Sequence, residues 1–284
     1  MHQLITLILG LLISLSIAAN DLAPAFDAYA ARDYDTAIEQ LERLSEEKSN
    51  RDALFHLALF QYRLARFDEA NETVERLLET YPKDADAHYL SGLVYLALLN
   101  EVNIFRKVSM AKKSLAAWRR AVEIVPDHVN ARYAIFAYYA NAPSIAGGDL
   151  EVAKNHQLDI ERINAGFGAM AKGMLLSKET DHEATEAAFR KAISLENRAG
   201  PHFALAQFYM QTNQWENAIV EANAFLKKEK RWWDPDITIA HLMLARANAE
   251  LGNRDLAEKE IDLALALKPN RQIKKLLEET LESL

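Results

Sequence analysis

One spacing recurs along this chain and restricts what it can fold into. A small residue is followed four positions on by a bulky one, three further by a small or apolar one, and often five beyond that by proline. It reads Ala70, Val74, Leu77, Pro82, then Ser114, Trp118, Ala121, Pro126, and again Ala257, Ile261, Ala264, Pro269. Weaker copies are Ala37, Leu41, Leu44, then Thr185, Phe189, Ala192, and Ala218, Ala222, Phe225. Steps of four and three place these residues on one face of a helix. Small residues there admit a neighbouring helix closely, the bulky one fills the groove between them, and proline ends the segment.

Upstream of each such helix the pattern predicts another, carrying bulky residues and a small one: Leu54, Leu57, Ala58; Tyr89, Gly92, Tyr95; Leu205, Ala206, Tyr209; Leu244, Ala245. Short turns at 64–68, 211–215 and 251–255 separate the paired helices. Alternating apolar–polar runs are absent, and 9 Gly with 7 Pro in 284 residues disfavour a turn-rich β fold. The expected class is all-α.

The leading small residues fall at 37, 70, 114, 153, 185, 218 and 257, at intervals of 33, 44, 39, 32, 33 and 39. A period near 34 with insertions resembles the tetratricopeptide repeat family, and the likeness covers nearly all of the chain beyond residue 20. It implies an α-α superhelical solenoid of about six to seven helix pairs. The repeats would run about 21–50, 51–84, 85–128, 129–164, 165–198, 199–235 and 236–270, closed by a capping helix at 271–284. One pair cannot bury its apolar face alone, so stacking builds the core, and the end needs a polar-faced cap. The amphipathic stretch Gln272–Leu284, with Glu278, Glu279 and Glu282, suits that role.

Three segments depart from the repeat. Asn100–Met110 lengthens the connection before a helix expected at Ala111–Val125. Asn141–Asp149 holds Pro143, Gly147 and Gly148, which break a helix, and Asp149, which can cap the next. The two glycines read either as a tight loop or as a backbone nest for an anion, against which Asp149 argues. Together, the run Phe105–Lys113 and the loop Ala142–Asp149 resemble a set of bacterial secreted tetratricopeptide proteins, a likeness that supplies fold and compartment but no activity. The third segment is Lys227–Asp236, where a basic run meets Trp232 and Trp233, and Asp234 or Asp236 can cap the following helix. The tryptophans either cover an apolar edge between repeats or anchor a partner beside Lys230 and Arg231.

Leu4–Ile17 is short for a membrane span, and Ser16–Ala19 offers small residues at a cleavage site. Residues 1–19 therefore read as a signal peptide despite the absence of Lys and Arg before the apolar run, with an uncleaved anchor as the alternative. Either way the solenoid at 20–284 is expected to be exported, to a bacterial periplasm, without stable membrane insertion once the signal is cleaved.

No catalytic, cofactor or metal constellation stands out. With no Cys there is no thiolate site, disulfide or cysteine nucleophile. The 8 His include no His-Glu-x-x-His pattern, and His88, His202 and His241 occupy similar packing places on their helices. His202 and His241 belong to adjacent repeats, and their approach would make a weak metal site the alternative to packing. A net charge of −8, with Lys/Arg runs interrupted by acidic residues, argues against nucleic acid.

The sequence thus predicts a non-catalytic scaffold that binds a protein or peptide along its concave groove. The candidate contacts are Tyr62, Arg63, Tyr95, Tyr133, Tyr138, Tyr139, Gln207, Tyr209, Arg231, Trp232, Trp233 and Asn248. Alternatives are a soluble transporter-associated subunit presenting a small ligand from a cavity between repeats, and a structural homo-oligomer.

Overall fold

The computed structural model describes residues 21–48, 50–99 and 104–284, and the expected signal segment lies outside them. Among the described residues every regular element is helical. The chain runs α1 (21–30), α2 (Tyr34–Lys48), α3 (Arg51–Arg63), α4 (Phe67–Thr80), α5 (Ala85–Leu98), α6 (Ile104–Ile124), α7 (Val129–Asn141), a 3-10 turn at Ser144–Ala146, α8 (Leu150–Ile163), α9 (Ala165–Lys178) and α10 (His182–Leu195). It continues through α11 (Ala199–Gln211), α12 (Trp215–Lys227), α13 (Ile237–Glu250), α14 (Arg254–Ala266) and α15 (Arg271–Glu282). None of these helices is long and apolar enough to cross a membrane.

The recurring spacing buries itself. Ala70, Val74 and Leu77, Ser114, Trp118 and Ala121, and Ala257, Ile261 and Ala264 all lie in the interior, as do Ala37, Leu41, Thr185, Phe189, Ala192, Ala218, Ala222 and Phe225. Trp118 shows why the first helix of its pair carries glycine. A Cβ built on Gly92 would stand 2.1 Å from Trp118 Nε1, so only glycine leaves room for the indole, which donates to the Tyr89 carbonyl at 3.2 Å.

Helix starts follow polar side chains that accept from free backbone N–H groups: Asn50 for α3, Asp84 for α5, Asp149 for α8, Asn164 for α9, Asp181 for α10, Asp236 for α13 and Asn270 for α15. Turns inside five pairs share a second device. Arg32, Ala65, Thr180, Asn213 and Gly252, with φ between 57° and 74°, each stand two residues before the second helix begins. Four of these five are not glycine, so packing on both sides holds a conformation that L-residues disfavour.

The 100–110 insertion differs from its expected form. Its described part is not a connection: α6 begins at Ile104 and runs unbroken to Ile124, seven residues ahead of the expected start. Nothing in 104–110 is Pro or Gly, so no residue there stops a helix.

Within each pair the two helices pack face to face, and successive pairs stack. The first helices also touch along one side, α3 with α5, α7 with α9, α9 with α11 and α11 with α13, which makes them the inner wall of the curve. The segment after the last pair returns to the first two pairs. Lys268 Nζ donates to the Arg32 carbonyl at 3.0 Å, Tyr34 Oη to the Leu267 carbonyl at 3.3 Å, and Asn270 Nδ2 to the Arg63 carbonyl at 3.2 Å. The solenoid therefore closes on itself in a single turn.

Candidate functional site

The inner face is built around the connection between α12 and α13. Pro235 and four charged residues in succession, Lys228–Arg231, suit an irregular loop, and the loop is fixed inward from several sides. Trp232 lies edge-on to Phe55 of α3 and to Tyr89 of α5, at ring centroid distances of 5.3 and 5.6 Å. Arg63, at the end of α3, gathers the backbone of the loop. Its guanidinium donates to the carbonyl of Trp232 and, at 3.2 Å, to that of Asp234, and stands 4.0 Å from the Asp236 carboxylate. Asp234 is buried and accepts from the Arg231 N–H at 2.7 Å, while Asp236 alone caps α13. Lys230 turns back onto the carbonyls of Leu226 and Lys228, and burial pulls its ammonium below the ordinary range. It is thus tied to its own loop.

Beside this loop the inner wall leaves two adjoining cavities. One, of about 370 Å³, is walled by Phe167, Met170 and Met174 of α9, Phe203 and Gln207 of α11, and Trp233, Asp234 and Pro235 of the loop. Arg198 also reaches it, paired with Glu196 and lying 4.7 Å over the Phe167 ring. The other, of about 460 Å³, lies between α5, α6 and α7 and is lined by Leu93, Leu96, Ala134, Ala137 and the 3-10 turn. Tyr89, Asn130 and Tyr133 line both. Burial pushes the Tyr89 and Tyr133 phenols well above their ordinary range, so both stay protonated at neutral pH.

The expected contact residues are dispersed. Tyr133, Gln207 and Trp233 meet at the smaller cavity, with the exposed Arg231 guanidinium 5.3 Å over the Trp233 ring. Arg63 and Trp232 meet at the loop, but as parts of its internal anchorage. Tyr62 packs into the N-terminal core, tilted against Phe67. Tyr95 is half-buried under Lys113, and Tyr139 stacks on His156 and is reached by Arg119. Tyr138 is buried, its hydroxyl donating to the Ala146 carbonyl. Tyr209 and Asn248 are corrections to the groove expectation. Tyr209 is wholly buried, and Asn248 is spent on the Leu244 carbonyl at 2.9 Å, because at their register the first helix faces its neighbours rather than the ring interior.

His202 and His241 do not meet. Each Nδ1 lies 2.7 Å from a carboxylate on the second helix of its own pair, Glu221 and Glu260 respectively. Among the described residues no group of three or more His, Asp or Glu could hold a metal ion. Sequence reasoning missed Asn130, Phe167, Met170 and Arg198. The polar–apolar break along α7 and α9 was visible, but not which cavity it would face.

Tetratricopeptide repeat family models match residues 28–93 and 203–271. The chain is a tetratricopeptide repeat protein. Both matches fall on the more regular repeats and omit residues 94–202, where the two lengthened segments stand. The fold of this repeat protein is similar to that of a tetratricopeptide repeat protein from Parabacteroides merdae. The alignment covers 93% of this chain and 98% of the other, with 16% identity and a TM-score of 0.55. A thermophilic tetratricopeptide repeat protein of Thermus thermophilus aligns over 82% of this chain and 98% of its own, with 18% identity and a TM-score of 0.48. No curated protein matches the chain in sequence.

Proposed function

We propose that this repeat protein is an exported, non-catalytic scaffold that holds a protein or peptide partner at the rim of its inner face. The observation that carries the reading is the meeting of Trp233, Tyr133 and Gln207 at one cavity beside the closing loop, with the Arg231 guanidinium over the Trp233 ring. Tryptophan, tyrosine and arginine dominate protein interfaces because they give large contact areas together with a hydrogen bond or charge. A cavity of about 370 Å³ with mostly apolar walls accepts one anchoring side chain of a partner. The ring is closed, so an extended segment would cross its rim. Export rests on the apolar run at Leu4–Ile17.

The test compares wild type with Trp233→Ala and Gln207→Ala after mild crosslinking in the native envelope, with recovered proteins identified by mass spectrometry. Trp232 is left intact because it holds the loop to α3 and α5. One partner recovered reproducibly with wild type and lost with both variants supports the scaffold. Recovery of the chain alone, or of the same proteins with all three forms, refutes it.

A further inference from the structure

The larger cavity points to a second kind of ligand, independent of any protein partner. It measures about 460 Å³, within the range of small-molecule sites and far above the voids that protein interiors leave. Among the described residues no charged side chain lines it. Its polar lining groups divide in two. Trp118 Nε1 donates to the Tyr89 carbonyl, Tyr138 Oη to the Ala146 carbonyl and Asn141 Nδ2 to the Ala137 carbonyl, so these donors are spent. The hydroxyls of Tyr89 and Tyr133 and the Asn130 carboxamide, by contrast, take no hydrogen bond from any described residue, and all three stand in the wall shared with the smaller cavity.

The lining therefore asks for a molecule with hydrogen-bonding capacity at one end and an apolar body elsewhere. A full charge on that molecule would be desolvated with no countercharge in this cavity, and in the smaller one Arg198 is already paired with Glu196 while Asp234 supplies the opposite sign. We propose that the cavity between α5, α6 and α7 binds a small neutral amphiphile, an alkyl or aryl body bearing one uncharged polar group. The body lies among Leu93, Leu96, Ala134 and Ala137, and the polar group meets Asn130 and Tyr133.

The experiment titrates the full chain with the neutral fluorophore N-phenyl-1-naphthylamine. Displacement then follows with 1-decanol, decanoate and decyltrimethylammonium, three molecules of one chain length and different charge. The expected result is a saturable, one-to-one rise in fluorescence that decanol reverses at least about tenfold more effectively than either ion. Ala137→Phe, which fills the cavity, abolishes the rise, and Ala134→Leu serves if that variant loses its helical circular dichroism. Tyr133→Phe combined with Asn130→Leu weakens decanol about tenfold, the loss expected when a polar head has no partner. No saturable signal, a signal that survives the cavity-filling variants, or an ion that competes as well as decanol would each overturn the proposal.

Discussion

Replacing Arg63 by alanine removes the group that holds the closing loop, and the structure allows the cost to be worked out. Two hydrogen bonds from a charged donor are lost, to the Trp232 and Asp234 carbonyls, along with a 4.0 Å ion pair to Asp236. Charged hydrogen bonds contribute about 1.5–3 kcal/mol each when well buried. The Arg63 side chain is 19% exposed and its ion pair is long, so the sum is discounted to about 2 kcal/mol. In an open solenoid each repeat touches only its neighbours, and stability is a sum of local terms. Here Arg63 instead ties residues 169 and 171 positions apart. Its loss therefore reduces cooperativity as well as stability. Urea unfolding would be followed in parallel by circular dichroism at 222 nm and by tryptophan fluorescence, to which Trp232 and Trp233 contribute. In the wild type the two curves coincide; in Arg63→Ala the fluorescence change precedes the loss of helix. Arg66→Ala, which breaks a solvent-exposed pair with Asp35, shifts the midpoint by less than about 1 kcal/mol and leaves the curves together. Arg63→Ala curves that superimpose on each other and on wild type would refute the reasoning.

Gly92→Ala drives a methyl into the Trp118 indole and lowers stability by about 1–3 kcal/mol, read from the thermal midpoint. Ala65→Gly relieves a left-handed residue at φ 58° and stabilises the chain by about 0.5–1 kcal/mol in urea titrations. Burial lowers the proton affinity of His56 and His156 below the ordinary value of 6.5. Near and below pH 6.5 the unfolded chain therefore binds protons that the folded chain does not, and stability falls as pH drops from 6.5 towards the lower folded values. His56→Gln with His156→Gln flattens that slope, and chemical unfolding at pH 7.5 and 5.5 measures it.

The buried face of each second helix was legible because a period of small, bulky and small residues has one physical meaning wherever it recurs. The run 104–110 was equally readable as helix, since it contains no breaker, but the expected repeat boundary masked it. Turn geometry was hidden for the opposite reason: Arg32, Ala65 and Thr180 adopt positive φ without the glycine that normally announces it. The groove residues divided unevenly because first helices face both their neighbours and the ring interior. Periodicity marks Tyr133 and Tyr209 as alike, whereas packing leaves one at a cavity and encloses the other. The loop at 228–236 was recognised as unusual, yet its role depends on Phe55, Arg63 and Tyr89, more than 140 residues earlier, and no local pattern carries that information.

The contacts between the segment after the last pair and the first two pairs also make repeat number a specified quantity. An open stack of helix pairs can gain or lose a unit and keep its local geometry. Here one fewer pair would leave a gap between Lys268 and Asn270 and their acceptors on Arg32 and Arg63, and one additional pair would drive the ends into collision. The chain works as a hoop whose circumference is set by its clasp, so a change in length would alter its curvature and the dimensions of both inner cavities together.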